Sequence, residues 1–301
     1  MRTMTPAAID GREAIALGEA DRIAVLAGSG LLPREVIDGL IGSGHRPLVV
    51  AIAGEADIGE DPERYDFQTV THEELGKVLS MLKRQGVTHV VLAGGVARRP
   101  PLSTLRYSPR ILLHLPRLVA GYASGDDGLL RAITAVIGSY GIRLVGVHDV
   151  VPELLAPQGL LTRAAPARRD ERDIAAALAA ARAIGRLDIG QAAVAVGGRA
   201  IALEDIDGTD GLLRRAETLR SHGRLAGKTG GVLVKCSKPG QELRVDLPTI
   251  GPQTVTAAHA AGLAGIAVEA ERSLVLQSGE TVRRADALGL FILGFPAGRE
   301  E

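Results

Sequence analysis

Short apolar runs alternate with stretches of helical periodicity through the first half of the chain. The apolar runs are rich in Val, Ile, Leu and Ala, and they cover residues 22–27, 47–53, 89–93 and 143–147. Between them, apolar residues recur at helical spacing over residues 33–41, 73–85, 109–122 and 127–140. Strands that alternate with helices are typical of a parallel sheet with helices on its faces. We therefore predict a Rossmann-like, doubly wound domain over residues 22–150, preceded by an N-terminal extension over residues 1–21.

The second half of the chain has a different strand pattern. Prolines and glycines interrupt the periodicity over residues 151–168, which predicts a linker. Beyond it, an Ala-rich helix is predicted over 171–184, and two strands follow each other directly at 192–196 and 199–203. Adjacent strands without a helix between them are typical of a mixed sheet. We predict a C-terminal mixed α/β domain over residues 169–301. Its further elements are strands at 232–235, 266–269 and 290–293, a helix from 210 and a helix over 255–261.

The charged residues of the C-terminal domain concentrate between positions 235 and 246. They are Lys235, Lys238, Glu242, Arg244 and Asp246. Residues 242–247 alternate strictly between polar and apolar, which predicts a strand with its charged side chains on one face. A solvated sheet face would give the same pattern. The mixture of cations and carboxylates favours phosphate chemistry instead, because cations neutralise phosphate oxygens and carboxylates bind Mg²⁺.

Composition and charge narrow the functional class. A chain of 301 residues, 46% of them hydrophobic, is long enough for two domains with separate cores. Its 35 basic residues balance 35 acidic ones, so the positive field of a nucleic-acid-binding protein is absent. The single cysteine, Cys236, excludes an internal disulfide. No apolar run reaches the roughly 18 residues of a membrane-spanning helix, and no signal peptide is recognisable. These features predict a cytoplasmic enzyme.

Glycine loops follow the first and the third predicted strands of the N-terminal domain, at residues 28–30 and 94–95. A dinucleotide-binding fingerprint would need a glycine where this chain has Pro33. NAD binding is therefore disfavoured, whereas a structural turn and backbone contact with another nucleotide both remain open. Because parallel sheets bind ligands beyond the carboxyl ends of their strands, the two loops are expected to share one rim. Arg98 at this rim is either a phosphate partner or a solvated surface residue.

One heptapeptide occurs twice with a single change, as GDDGLLR at 125–131 and GTDGLLR at 208–214. Each copy begins a predicted helix, where Asp and Thr side chains commonly cap free N–H groups. The alternative is that both helix N-termini face a ligand in a cleft between the domains.

His148 and Asp149 follow the strand predicted at 143–147. Such a pair can act as a base or bind a metal, but a turn with satisfied polar groups is the favoured interpretation. The other histidines lack the spacing of zinc ligands, so no zinc site is predicted.

Several stretches together resemble the LpxI-type UDP-2,3-diacylglucosamine diphosphatases of the lipid A pathway. The most specific stretch is KPGQELRVDLPTIG at 238–251. The others are AGSGLLP at 27–33, LAGGVARRP at 92–100, GDDGLLR at 125–131, GRLDIGQAAVAV at 185–196, GTDGLLRR at 208–215, AGLAGIAVEA at 261–270 and LGLFILG at 288–294. The resemblance extends over nearly all of the chain after residue 21.

The resemblance implies hydrolysis of UDP-2,3-diacylglucosamine to UMP and 2,3-diacylglucosamine 1-phosphate. It also implies a divalent metal, usually Mg²⁺ with Mn²⁺ as a substitute, and a ligand cleft between the two domains. The family's catalytic aspartate, in an R-x-D-L-P motif, falls at Asp246, which we assign to metal binding or to positioning the water. Lys235 and Arg244 are assigned to stabilising phosphoryl charge.

Substrate contacts are assigned to the glycine loops, the heptapeptides, the strand end at 146 and the charged segment. The residues are Gly28, Gly30, Leu31, Gly95, Val96, Arg98, Asp126, Gly146, Asp210, Leu212, Lys238 and Gln241. A peripheral contact with the inner membrane and a homodimer are left open. Two other functions also remain open: an NAD-dependent oxidoreductase that binds its cofactor at residues 28–30, and a non-catalytic nucleotide-sugar-binding protein.

Overall fold

The structure is a computed structural model that describes residues 17–297 apart from residues 19, 97–101, 124 and 222. The chain divides into two compact units. The first unit comprises Ala132–Pro152 together with the chain up to Val119, and the second comprises Ala120–Arg131 together with the chain from Glu153 onward.

The sheet of the first unit has five strands. They are β1 (Ile23–Ala27), β2 (Leu48–Ile52), β3 (Asp66–Val70), β4 (His89–Ala93) and β5 (Arg143–Val145). Their order is β3-β2-β1-β4-β5, and every neighbouring pair is parallel. This order is typical of a Rossmann-like, doubly wound sheet, so the predicted fold class of the first half is confirmed.

The hydrophobic pattern predicts four of these strands but not β3. This strand has the sequence DFQTV, and Val70 is its one buried residue. It lies at the edge of the sheet and pairs with β2 alone. An edge strand is covered less completely than a central one, so it lacks the continuous apolar run by which buried parallel strands are recognised.

Helices connect the strands of this half of the chain. They are α1 (Leu32–Gly42), α2 (Leu75–Arg84), α3 (Pro109–Leu112), α4 (Leu115–Ala123), α5 (Gly125–Ser139) and α6 (Val147–Val150). The helix predicted over 109–122 is thus split in two. The break lies just before Pro116, which has no N–H for an intrahelical bond and is tolerated only in the first turn of a helix.

The main sheet of the second unit is mixed, as predicted. Its strands are β6 (Gly159–Leu160), β7 (Ala192–Val196), β8 (Arg199–Leu203), β9 (Val232–Lys235), β11 (Gly265–Glu269) and β13 (Phe291–Phe295). Their order is β6-β13-β11-β9-β7-β8. The neighbours β9, β11 and β13 pair in parallel, whereas the pairs β6–β13, β7–β9 and β7–β8 are antiparallel. The short strands β10 (Thr249–Ile250) and β12 (Leu274–Val275) form a separate parallel pair.

Helices cover both faces of this mixed sheet. They are α7 (Arg168–Arg186), α8 (Gly208–Leu219), α9 (Pro252–Ala260) and α10 (Ser278–Leu288). Ala177 and Ala181 of α7 pack on one face with Val234 of β9. Leu233 of β9 lies on the other face with Leu212 of α8, as the alternation of side chains along a strand requires. None of the described helices is long and apolar enough to cross a membrane.

The prediction of a strand over residues 242–247 is wrong. These residues form a turn, in which the backbone N–H groups of Val245 and Asp246 donate to the Glu242 carbonyl at 3.0 and 3.2 Å. Gly240 before the turn has a left-handed backbone with φ of 71°, and Pro248 after it has no N–H to donate to a neighbouring strand. The alternating sequence cannot pair in a sheet because its ends are bent and blocked in this way.

Residues 151–168, predicted as a linker, contain strand β6. Leu160 of β6 pairs with Leu293 of β13. Gly294 of β13 allows the backbone at Pro157 to lie close to this strand, because a side chain at position 294 would overlap the Pro157 carbonyl. This part of the chain therefore contributes an edge strand to the second sheet.

Candidate functional site

The carboxyl edge of the second sheet gathers most of the charged residues of the predicted C-terminal site. The parallel strands β9 and β11 end there at Lys235 and Glu269. The antiparallel strand β7 begins at this edge just after Gln191, and β8 ends there just before Glu204. Since open α/β sheets bind ligands beyond the carboxyl ends of their strands, this edge is the candidate site.

Lys235 is the last residue of β9 and is only 5% exposed. Its side chain lies on the same face as Leu233, which is the face covered by α8. Its Nζ donates to Oγ1 of Thr209, in the first turn of α8, at 2.8 Å, and to the Thr249 carbonyl at 3.0 Å. The lysine therefore ties the sheet to the start of α8 and to β10.

A buried carboxylate completes this network. Glu204 is 5% exposed; its Oε1 accepts the hydroxyl of Thr209 at 2.6 Å and its Oε2 accepts the backbone N–H of Gln191 at 2.7 Å. A hydroxyl has one proton to give and lone pairs to accept with. Thr209 therefore gives its proton to Glu204 and accepts a bond from Lys235.

Burial lowers the pKa of Lys235, because loss of hydration disfavours the ammonium form. The carboxylates of Glu204, Asp246 and Asp210 oppose this shift. The carboxyl edge thus holds a buried lysine whose ammonium form is favoured by three carboxylates within electrostatic range. Such a fixed charge is suited to an anionic ligand.

The loop after β9 positions Asp246 through Gln241. The Oε1 atom of Gln241 accepts the backbone N–H of Lys238 at 2.8 Å. Its Nε2 donates to Oδ2 of Asp246 at 2.6 Å and to Oε1 of Gln191 at 3.3 Å. Since Gln241 is itself buried, it fixes the orientation of the Asp246 carboxylate at the edge of the sheet.

The other two predicted cations of the segment are paired with carboxylates. Lys238 Nζ lies 2.6 Å from Asp188 Oδ1. Arg244 makes a two-pronged contact with Glu242, with Nε–Oε1 at 2.8 Å and Nη2–Oε2 at 2.7 Å. Bidentate pairs of this kind are among the stronger hydrogen-bonded contacts. A phosphate that approached either cation would compete with its carboxylate.

Cys236 and Glu269 lie on the opposite face of the sheet from Lys235. Glu269 accepts the backbone N–H and the hydroxyl of Ser237 at 2.9 and 2.6 Å. Cys236 is 2% exposed, and burial, followed by the charge of Glu269, raises its pKa to about 12. At neutral pH the thiol is therefore protonated and is not a nucleophile.

We expect Cys236 to resist alkylation by iodoacetamide in the folded protein at about pH 8–9, because the thiolate forms there only near pH 12. In concentrated guanidinium chloride the same thiol should react within minutes, since unfolding restores an ordinary pKa. Mass spectrometry of both samples gives the modified fraction. Equal reaction rates in the two conditions would contradict the buried, protonated thiol.

The two glycine loops of the first unit pair with each other and share one rim, as predicted. The backbone N–H groups of Ser29 and Gly95 donate to each other's carbonyls at 2.7 and 3.1 Å. A side chain at Gly28 or Gly94 would overlap the backbone of the facing loop. The close approach of the two loops therefore accounts for these glycines without a ligand.

The remaining predicted contacts of the N-terminal half of the chain have different surroundings. Gly30 has a left-handed backbone with φ of 92°, and Leu31 directly precedes α1. Val96 is 38% exposed. Arg98 and the side chain of Asp126 lie outside the described residues. Contact of these positions with substrate stays a prediction, as does the cleft between the domains.

Two further predicted regions stand at helix starts. The backbone N–H of Gly146 donates to Asp149 Oδ2 at 2.8 Å, and His148 Nε2 lies 3.4 Å from Asp149 Oδ1, so the His-Asp pair belongs to a helix-capping turn. In α8, Asp210 is exposed in the first turn. Leu212 is 0% exposed and its side chain packs in the core. Contact of these positions with substrate stays a prediction.

Two family models together match most of the chain. The model described as the LpxI N-terminal domain matches residues 22–154, and the one described as the LpxI C-terminal domain matches residues 157–293. The chain belongs to the LpxI family. A relative within it is the UDP-2,3-diacylglucosamine pyrophosphatase LpxI of Caulobacter vibrioides, which is 42% identical over 275 residues, or 91% of this chain and 97% of the relative.

Similar solved structures add little to the LpxI assignment. The minor L-lactate dehydrogenase of Enterococcus mundtii is 13% identical over 42% of each chain, with a TM-score of 0.19. The precorrin-6A reductase CobK is 10% identical over 93% of this chain and 90% of its own, with a TM-score of 0.28. Both scores are too low to support an argument from these structures.

Sequence reasoning missed three residues of the carboxyl edge in this LpxI chain: Gln191, Glu204 and Thr209. Gln191 and Thr209 lie within the family-like stretches GRLDIGQAAVAV and GTDGLLRR, which is the signal that could have identified them. Glu204 lies outside every recognised stretch. Its place at the site follows from the strand order, which brings the end of β8 beside the start of β7.

The resemblance implies a divalent metal, and the donor atoms at the carboxyl edge of this LpxI chain decide whether Mg²⁺ would fit there. Among the described residues, no three His, Cys, Asp or Glu side chains are grouped to hold a metal ion. Mg²⁺ commonly keeps several waters and is bound by one or two carboxylates plus substrate phosphates. Asp246 at the carboxyl edge is a carboxylate of that kind. The residues therefore fit a metal that is shared with a phosphorylated ligand rather than one enclosed by protein.

Proposed function

We propose that this chain hydrolyses the pyrophosphate bond of UDP-2,3-diacylglucosamine, releasing UMP and 2,3-diacylglucosamine 1-phosphate. The observation that carries the proposal is the 42% identity, over 91% of the chain, to a protein named UDP-2,3-diacylglucosamine pyrophosphatase. The chain would then be a hydrolase of phosphoric anhydrides in lipid A biosynthesis. The charged carboxyl edge of the second sheet supports this chemistry, because it combines a fixed cation with an oriented carboxylate.

Asp246 is proposed to act on the attacking water. Gln241 donates to one of its carboxylate oxygens at 2.6 Å, which holds the group in one orientation. A carboxylate held in this way can accept a hydrogen bond from water and take its proton as the new P–O bond forms. The same carboxylate is the residue that would hold the metal.

Lys235 is proposed to neutralise the charge that develops on the phosphate oxygens. Among the described residues, Thr209 and Thr249 accept two of the bonds that its ammonium can donate. An ammonium has three N–H donors, so one donor is left for a phosphate oxygen. Since these contacts fix the lysine before substrate binds, its charge needs no reorganisation during the reaction.

Lys238 and Arg244 are proposed as secondary phosphate partners. Each would have to exchange its carboxylate, Asp188 or Glu242, for a substrate oxygen. The gain from the phosphate is then offset by the loss of an existing ion pair. We therefore expect these two cations to contribute less to the rate than Lys235 does.

The proposed cofactor is Mg²⁺, with Mn²⁺ as a substitute, held by Asp246 together with phosphate oxygens of the substrate. A bound divalent ion supplies positive charge to the phosphate oxygens and lowers the cost of developing negative charge. Excess EDTA is expected to abolish UMP release, and added Mg²⁺ or Mn²⁺ should restore it. Full activity in excess chelator would contradict the metal requirement.

The function is tested by incubating the purified chain with UDP-2,3-diacylglucosamine and Mg²⁺ and measuring UMP by chromatography. Water labelled with ¹⁸O shows which phosphorus is attacked, because the label enters either UMP or the sugar 1-phosphate. Binding of the substrate without UMP release on long incubation would contradict hydrolysis and favour a nucleotide-sugar sensor.

A further inference from the structure

The two heptapeptide copies differ at a single position, which is Asp126 in the first copy and Thr209 in the second. In the second copy this position supplies the hydroxyl that joins Lys235 to Glu204. A hydroxyl can accept from an ammonium and donate to a carboxylate at the same time. A carboxylate in its place would have no proton for Glu204. The network therefore requires a hydroxyl at this position, which Thr209 supplies and Asp would not.

We propose that Thr209 and Glu204 are positioning residues, which hold the Lys235 ammonium at the carboxyl edge so that it meets the substrate pyrophosphate. The inference rests on the proposed function and adds two side chains to the site. Neither side chain is proposed to touch the substrate. Both act through the lysine.

The burial of this network supports a positioning role. Lys235 and Glu204 are each 5% exposed, so neither exchanges its partner readily for water. The second oxygen of Glu204 is fixed by the backbone N–H of Gln191 at 2.7 Å. The chain of contacts from the lysine therefore ends on the main chain of the sheet. A flexible four-carbon side chain is held in one orientation as a result.

Thr209→Val removes the hydroxyl and keeps the shape of the side chain. We expect kcat for UMP release to fall at least about tenfold, with KM changed by less than about threefold, because the lost orientation matters most when charge develops in the transition state. Thr209→Ser keeps the hydroxyl and should retain kcat within about threefold of the wild type. A role in folding alone would not separate kcat from KM in this way, nor would it be rescued by Ser.

Glu204→Gln tests whether the carboxylate acts through Thr209. We expect the same direction of change as for Thr209→Val. The double variant should be no slower than the slower single variant, because both substitutions disturb one unit. Full additivity of the two losses would overturn the idea that Glu204 acts through Thr209.

A measurement without substrate separates this inference from the proposed function. In ¹⁵N NMR, a hydrogen-bonded and buried ammonium gives a slowly exchanging Lys235 signal, which should persist in Thr209→Ser and disappear in Thr209→Val. A wild-type protein that shows this signal but releases no UMP would contradict the hydrolase assignment. A folded Thr209→Val enzyme with wild-type kcat overturns the positioning role. If Thr209→Val does not fold, a Glu204→Gln enzyme with wild-type kcat and an unchanged signal overturns it instead.

Discussion

Asp246→Asn is expected to lower kcat for UMP release by about 10²–10³ while KM changes little, because one strong electrostatic contact in the transition state is lost. Asn has nearly the same shape as Asp, and its carbonyl oxygen can still accept the bond from Gln241 that Asp246 accepts at 2.6 Å. The substitution therefore removes the charge while keeping the local geometry. Initial rates of UMP formation over a range of substrate concentrations give kcat and KM separately.

The matched control is Asp205→Asn, in the same unit. The Asp205 carboxylate lies on the surface, 3.2 Å from Arg215, and exposed ion pairs of this kind contribute about 0–1 kcal/mol to stability. We expect its kcat to stay within about twofold of the wild type and its melting curve to be nearly unchanged. An Asp246→Asn enzyme that melts like the wild type and keeps kcat within about threefold would contradict the role of this carboxylate, because each tenfold step is only about 1.4 kcal/mol of barrier.

Lys235→Met is expected to lower the free energy of unfolding of the second unit by about 3–5 kcal/mol, because it removes the positive charge within electrostatic range of the buried Glu204 carboxylate, to which Thr209 connects it. Glu204 remains buried, and the Thr249 carbonyl loses the donor that it has at 3.0 Å. Urea unfolding followed by circular dichroism measures the change. Lys228→Met, at an exposed lysine, is the control and should stay within about 0.5 kcal/mol. A Lys235→Met protein as stable as this control would contradict the buried network.

The pH dependence of the same pair of proteins gives a second test. Burial lowers the pKa of Lys235 in the folded state, so between the folded and the unfolded pKa the unfolded chain binds more protons. The cost of burying the charge is fully present below the folded pKa and is relieved as pH rises towards the unfolded pKa. The stability of the wild type relative to Lys235→Met should therefore increase with pH between the folded and the unfolded pKa. A constant difference would contradict the lowered pKa.

The sequence predicts the central strands well, because a strand that is buried on both faces needs a continuous apolar run. Strands β7 and β9 fall at the predicted positions. Short or edge strands such as β6, β10 and β12 have no such run and were not predicted. The turn over 242–247 shows the converse error: alternation alone does not make a strand when a left-handed glycine and a proline bracket the segment.

The candidate site could be predicted where its residues are neighbours in sequence. Lys235 and Asp246 lie within one charged segment, and their residue types indicate phosphate chemistry. Glu204 could not be found in this way, because strand order and not local sequence brings it to Thr209. The ion pairs of Lys238 and Arg244 were missed for a related reason. The sequence shows that a cation is present but does not show which carboxylate is already paired with it.

The contact between the Lys235 ammonium and the Thr249 carbonyl joins the two ends of the loop that carries Asp246. Closing a loop costs entropy that grows only slowly with its length. Here the closing contact is made by Lys235 and Thr249, which lie just outside residues 236–248. A substitution inside that stretch therefore leaves this closing contact in place, even where it removes a contact such as that of Lys238 with Asp188 or of Gln241 with Gln191. Variation at the loop's other positions is then compatible with an intact sheet beneath it.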